Sequence, residues 1–306
     1  MTPPTAADTV EHTPAPHHGV PPPDPFSALV GVEFGAATHP GKVRPNNEDC
    51  YLAGRIDRAL HVFATNLPPD DVPAEFGEAA YGMLVADGLG GRAAGEVASR
   101  TAISTMLNLV LHTPAWIMRV GEREADQILD RITDRFKRAG LVLAQMAEDD
   151  PALAGMGTTL TTASSVGEEL FVGHVGDTRA YLLRGPNLIR LTRDHTYAQE
   201  LADQGFIRPD QVAGHRLRHV LTRALGRKGA HVRVDVTRVG LQDGDRVLLC
   251  SDGLTDMVPD DGIRAALAAA GTAQAAADAL VAAALDAGGK DNVTAVVARY
   301  TFPPGY

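Results

Sequence analysis

TTLTTASSVGEELFVGHVGDTRAYLLRGPNLIRLTRD (158–194) is the stretch whose reading decides the fold. It divides into TTLTTASSV (158–166), ELFVGHVGD (169–177), RAYLLRG (179–185) and LIRLTRD (188–194). Each run is rich in β-branched, aliphatic or aromatic residues, and short turns separate them. The pattern predicts four successive strands in an antiparallel meander. Outward from it, strands are expected at VEFGAATH (32–39), GMLVAD (82–87), RVLLCSD (246–252) and NVTAVVARY (292–300). Helical periodicity covers 95–111, with Val97, Ile103, Leu107 and Val110 on one face. It also covers 122–148, with Ile128, Ile132, Phe136, Leu143 and Met146 as the apolar stripe, and then 196–204, 260–269 and 272–287. Two helices, a run of strands, two more helices and a closing strand imply α+β layering around one or two antiparallel sheets.

Residues 1–28 are rich in Pro, Thr, Ala and His and lack hydrophobic periodicity, so they read as a disordered tail. Residues 29–306 form one domain, with no internal repeat and no boundary that would divide it. The Pro- and acid-rich segment 64–78 reads as an excursion between two strands, and 205–230, which has no clear period, as a surface segment.

With 306 residues, 44% of them hydrophobic and 22% charged, the chain can bury a sizeable core. A formal charge of −10 argues against a nucleic-acid partner. Cys50 and Cys250 have no CxxC partners, which excludes zinc-finger and thioredoxin readings and fits a reducing cytoplasm. Cys250 reads as a small buried hydrophobe. No apolar run approaches the ~20 residues of a membrane span, and the first residues have no signal-peptide pattern. A soluble cytoplasmic protein is therefore expected.

Asp87, Asp177, Asp252, Asp256 and Asp291 stand at the ends of apolar runs, each beside a small or turn-forming residue. Alone, each reads as a polar turn or a helix cap. Together they point to strand ends converging on a hard divalent cation with oxygen ligands. Arg44, in GKVRPNNED (41–49), reads either as a surface ion pair or as a fork for a phosphate. Metal ions beside one arginine suit hydrolysis of a phosphate ester. Other constellations lack parts. GLGGRAAGE has no P-loop ending, no GxSxG elbow is present, and the 11 histidines form no HExxH or close ligand pair. His174 reads as a satisfied sheet histidine.

In order and spacing, GKVRPNNED, LVADGLGGRAAGEVAS (84–99), MGTTLTT (156–162), VGHVGDTRAYLLR (172–184), LTRDHT (191–196), LLCSDGLTD (248–256) and KDNVTAVV (290–297) resemble the metal-dependent Ser/Thr protein phosphatases. This is the PPM or type 2C family, and the likeness is to its bacterial branch. The resemblance implies two central antiparallel sheets packed as a sandwich and flanked by helices on both sides. It implies Mn2+ or Mg2+, two core ions with a third. Asp87 would bridge two ions, Gly88 would offer a carbonyl, and Asp252 and Asp291 would complete the core. Glu48 would act through bound water, with Asp49 supporting it. Asp177 would hold the third ion with Asp252, helped by Asp256. Arg44 would clamp the substrate phosphate, and residues 195–220 would form a flap.

The implied activity is hydrolysis of phosphoserine and phosphothreonine by direct attack of a metal-bridging water, in signal transduction. The alternative is a catalytically weak or inactive binding module of the same fold. Partners would be phosphorylated proteins, targets of a Ser/Thr kinase, with neither nucleic acid nor membrane, and the protein a monomer. The chain departs from the family pattern at Leu89, where eukaryotic members have histidine and bacterial ones methionine, and at Arg92, where bacterial members often have histidine. The 64–78 excursion also lengthens a hairpin, and the chain stops at Tyr306, where some relatives continue to an anchor.

Overall fold

Side chains alternate along every central strand, and this alternation builds three apolar layers. The computed structural model describes residues 26–68, 76–90, 94–113, 116–226 and 232–304. The strands are β1 (Gly31–His39), β2 (Asp49–Leu60), β3 (Phe76–Leu89), β4 (Gly157–Thr158), β5 (Leu160–Val166), β6 (Glu169–Val175), β7 (Arg179–Arg184), β8 (Asn187–Arg190), β9 (Asp235–Gly240), β10 (Arg246–Cys250) and β11 (Val293–Thr301). The helices are α1 (Phe26–Leu29), α2 (Ala94–Leu111), α3 (Glu122–Asp149), α4 (Tyr197–Asp203), α5 (Asp252–Thr255), α6 (Asp260–Ala269) and α7 (Ala273–Asp286).

One sheet has the order β1-β11-β10-β7-β8. The other runs β2-β3-β5-β6-β9, with β4 pairing β3. Every pairing is antiparallel. On β11, Val296, Ala298 and Tyr300 face the other sheet, where Met83, Val85, Leu170 and Val172 meet them. Val293, Ala295 and Val297 point the opposite way, onto α6 and α7. Phe171, Val175 and Leu160 of the second sheet face α2 and α3. The result is an α+β sandwich with helices on both outer faces, as expected.

The predicted single meander is corrected. The four strands form two hairpins, β5–β6 in one sheet and β7–β8 in the other. Between them the chain leaves one sheet for its neighbour at Gly176-Asp177-Thr178. Gly176 adopts φ +115°, a backbone that side-chain-bearing residues avoid, and a Cβ there would lie 2.5 Å from Thr159. Periodicity within each strand is blind to this crossover because it leaves the alternation intact.

The apolar face of α2 is also rotated from the expected one. Ala98, Ala102, Ile103 and Met106 are buried, whereas Leu107 is 37% exposed. Small side chains let the helix lie close on β3, and proximity outweighs residue size. In α3, Ile132, Phe136 and Leu143 are buried as predicted, with Ile128 and Met146 packed at the edge of the same cluster. Strand β3 begins at Phe76, six residues before the expected GMLVAD, so the excursion is shorter than 64–78; residues 69–75 lie outside the described ones. The segment 205–230 is not wholly superficial. Leu225 is buried and exchanges two backbone hydrogen bonds with Thr158. Strand β9 had not been anticipated. Of the expected tail, residues 1–25 lie outside the described residues, while Phe26–Leu29 is helical and its buried Ser27 accepts the Ala79 N–H.

Gly176→Ala should destabilise the fold by about 2–5 kcal/mol, combining backbone strain with overpacking. Gly185→Ala, also at positive φ (+53°) but with nothing within 4 Å, should cost only about 1 kcal/mol. Denaturant midpoints of the two variants check this, and equal losses would contradict the crossover argument.

Candidate metal centre

Four strand ends meet at one edge of the sandwich. Strand β2 begins at Asp49 and β3 ends just beyond Asp87, and the two residues are direct cross-strand partners. Strand β10 ends at Cys250, so Ser251 caps α5 and Asp252 opens its first turn. Asp291 and Asn292 immediately precede β11. Asp177 stands at the sheet-to-sheet crossover. These elements enclose a cleft of about 770 Å3 lined by Arg44, Glu48, Asp87, Gly88, Asp177, Asp252, Asp256 and Asp291, among others. Of the expected site residues only Asp49 is not on its wall.

Asp49 lies behind the cleft, held from below. Its Oδ2 accepts from Ser251 Oγ and Thr294 Oγ1, both at 2.7 Å. Its buried Oδ1 has no hydrogen-bond partner among the described residues. An orphaned carboxylate oxygen is costly, and a cation or a cation's water would satisfy it. Burial pushes the Asp49 carboxyl up to about 7; the Thr294 and Ser251 hydroxyls oppose the rise, and Asp252 and Asp291 add to it.

Like charge dominates the cleft. Burial, then Asp49, Asp252, Asp177 and Asp291, hold the Asp87 carboxyl well above its ordinary range. Burial, then Asp252 and Asp194, do the same to Asp177 against the pull of Arg179. Burial also raises Glu48 and Asp256, the latter with help from Asp252. Without a counter-ion these carboxyls favour their protonated forms. The donor set is all oxygen apart from one imidazole, which suits Mg2+ or Mn2+.

Close packing of backbone makes this convergence possible. A Cβ on Gly88 would fall 2.1 Å from the Gly95 carbonyl oxygen, and one on Gly95 would fall 2.5 Å from Glu48 Oε2. The first turn of α2 therefore sits directly on the end of β3, with the Glu48 carboxylate tucked against it. Asn292 ties the 40–48 loop to the site: its Oδ1 accepts the Glu48 N–H at 2.8 Å, and its Nδ2 donates to the Pro40 and Asn46 carbonyls. Arg44 donates to Asp291 Oδ2 at 2.7 Å, with both side chains substantially exposed.

Several functional groups escaped sequence reasoning. Asn292 and Ser251 sit inside KDNVTAVV and LLCSDGLTD, where neither has an assigned role. His219, which belongs to no HExxH motif or close ligand pair in the sequence, joins the acids in space. His219, Asp252 and Asp256 place ligand atoms within 4.8 Å of one another. Its Nε2 is 3.2 Å from Asp256 and its Nδ1 3.6 Å from Asp252. A partner 33 residues away in sequence leaves no local spacing to detect. The expected flap at 195–220 delivers His219 and Arg218 to the cleft wall. Asp252 is not the helix cap, and Asp177 does not cap a hairpin turn. His174 is buried and satisfied as predicted, bonded to Thr161 Oγ1 at 2.8 Å and to the Arg193 carbonyl at 3.0 Å. Arg92 lies outside the described residues.

Comparison with known proteins identifies the family. Residues 63–287 match the family model for protein phosphatase 2C. The chain is 36% identical over 267 residues to the serine/threonine protein phosphatase PstP of Mycobacterium tuberculosis, covering 87% of this chain but only 45% of that relative. It is 35% identical over 215 residues to the serine/threonine phosphatase stp of Listeria monocytogenes, covering 70% of this chain and 82% of the relative. A solved catalytic domain of PstP in complex with two manganese ions superposes with a TM-score of 0.70 at 34% identity, over 89% of this chain and 99% of that one. By sequence and by fold alike, this chain belongs to the protein phosphatase 2C family.

Proposed function

We propose that this chain is a metal-dependent phosphatase that hydrolyses phosphoserine and phosphothreonine in proteins. One observation carries the reading: Asp87, Asp177, Asp252 and Asp291 converge on one cleft, with Asp49 paired to Asp87 behind it, and the same cleft exposes Arg44. Such a concentration of buried negative charge is relieved by divalent cations, and the orphaned Asp49 Oδ1 fits them. The manganese ions bound by the PstP catalytic domain support the same assignment.

In this reading Asp87, the Gly88 carbonyl, Asp252 and Asp291 would hold two cations of Mn2+ or Mg2+. Glu48 would contribute through ordered water, with Asp49 supporting it. Asp177 and Asp252 would hold a third ion, with Asp256. When bound, such cations supply a water nucleophile active at neutral pH and charge neutralisation for an in-line displacement. The protein's part is positional. Arg44, anchored by Asp291, presents a planar donor fork to the phosphate dianion. Ser251 and Thr294 lock Asp49 through its Oδ2 and leave the buried Oδ1 without a hydrogen-bond partner among the described residues. No side chain is required as a covalent nucleophile. The substrates are phosphoproteins made by a Ser/Thr kinase, met in the cytoplasm by a monomer. No helix among the described residues is long and apolar enough to cross a membrane.

Asp87→Asn or Asp252→Asn should lower manganese-dependent turnover of a phosphothreonine peptide by more than about 100-fold, beyond what loss of an outer partner costs. Full activity in either variant, or activity insensitive to chelator, would remove the proposal. Ser251→Ala should weaken manganese binding by about 10–100-fold, read by titration calorimetry. The pH dependence follows from the raised carboxyls. The folded, cation-free protein binds more protons than the unfolded chain, so its stability falls as pH rises from about 4 through about 7. Manganese binds the deprotonated ligands, so the stability gap between manganese and chelator should widen as pH rises from roughly 5 to about 7.5. Denaturant midpoints at several pH values check it; a constant gap contradicts it.

A further inference from the structure

A second cleft, of about 440 Å3, opens at the far end of α2. Its α3 wall carries Arg131, Arg135 and Arg138, spaced i, i+4 and i+7 so that one helix face presents all three. His112 and Thr113, just past the end of α2, form the other side, and Asp134 is the acid that lines it. In a chain of net charge −10, three guanidiniums around one cleft concentrate positive charge against the trend. Asp134 is already engaged with Arg138 at 2.7 Å. Arg135 is half-buried, and among the described residues its hydrogen bond goes to the neutral Thr113 Oγ1 at 3.0 Å. Burial and then the neighbouring Arg131 lower its pKa, with Asp134 opposing. The carbonyls of Asn108, Leu109 and Val110 already accept from His112 Nδ1, Thr113 Oγ1 and Trp116 Nε1.

We propose that this cleft binds a phosphate-class oxyanion, supplied as inorganic phosphate or as a phosphorylated side chain of a bound protein. Guanidinium forks match tetrahedral oxyanions in geometry as well as charge. The site is separate from the metal cleft. Helix α2 has its first turn on Gly88 and its last turn here, and its 18 residues span about 25 Å. A protein phosphorylated at two positions at least about eight extended residues apart could occupy both clefts, with the second contact gaining from tethering.

The test is fluorescence anisotropy of a labelled phosphothreonine peptide with the full chain in chelator. With cations chelated no turnover occurs, and the arginine variants below separate binding at the distal cleft from binding at the metal cleft, so the test does not depend on the chain being a phosphatase. The wild-type chain should bind the peptide, and Arg131→Gln/Arg135→Gln should weaken it about ten-fold or more, with thermal melting confirming that the variant is folded. Asp134→Asn, which removes the acid, should tighten binding several-fold. Competition by millimolar inorganic phosphate assigns the site to the free anion. Retention of the peptide against that competitor, with the arginine dependence intact, assigns it to phosphorylated side chains. Equal binding of the unphosphorylated peptide, or unchanged affinity in both variants, overturns the proposal.

Discussion

Mutual repulsion among clustered carboxylates is the constraint around which the site is built. Asp49 and Asp87 face each other across two adjacent strands, and Asp177, Asp252 and Asp291 close around them. No folded chain gathers such charge without something to hold it there. Here the scaffold is the two-sheet sandwich, whose strands end at a common edge and whose three apolar layers supply the cohesive energy. Gathering these carboxyls at one edge raises several of them above their ordinary range, a pattern common at functional sites.

The supporting residues explain why the geometry is fixed. Asn292 bonds three backbone groups of the 40–48 loop, so the strand that delivers Asp291 also positions Glu48. Ser251 and Thr294, from β10's end and β11, hold Asp49 of the opposite sheet. The two sheets are thus tied together by polar contacts directly under the proposed cations. Helix α2 adds a second tie, with its first turn seated on the glycine that ends β3 and its last turn walling a basic cleft.

Much of this was legible in the sequence. Strands such as NVTAVVARY and helices such as 122–148 carry their own periodicity, and the acids at their ends announce a shared edge. What could not be read was anything decided by long-range geometry. The sheet change at Gly176 leaves the two-residue alternation of both flanking strands unbroken. The face of α2 is chosen by how closely Ala98 and Ala102 approach β3, not by where Leu107 places its bulk. His219 meets Asp252 and Asp256 only through the path of the intervening segment. Of the acids, Asp256 is now joined by a histidine, and Asp49 is set apart as support beneath the floor.

The central claim is that this carboxylate cluster is a cation site. Anomalous diffraction at the manganese edge from crystals grown with manganese tests it most directly. The account predicts anomalous peaks in the cleft flanked by Asp87, Asp252 and Asp291. A well-ordered cleft with no anomalous signal there, or peaks only at surface sites elsewhere, would contradict it.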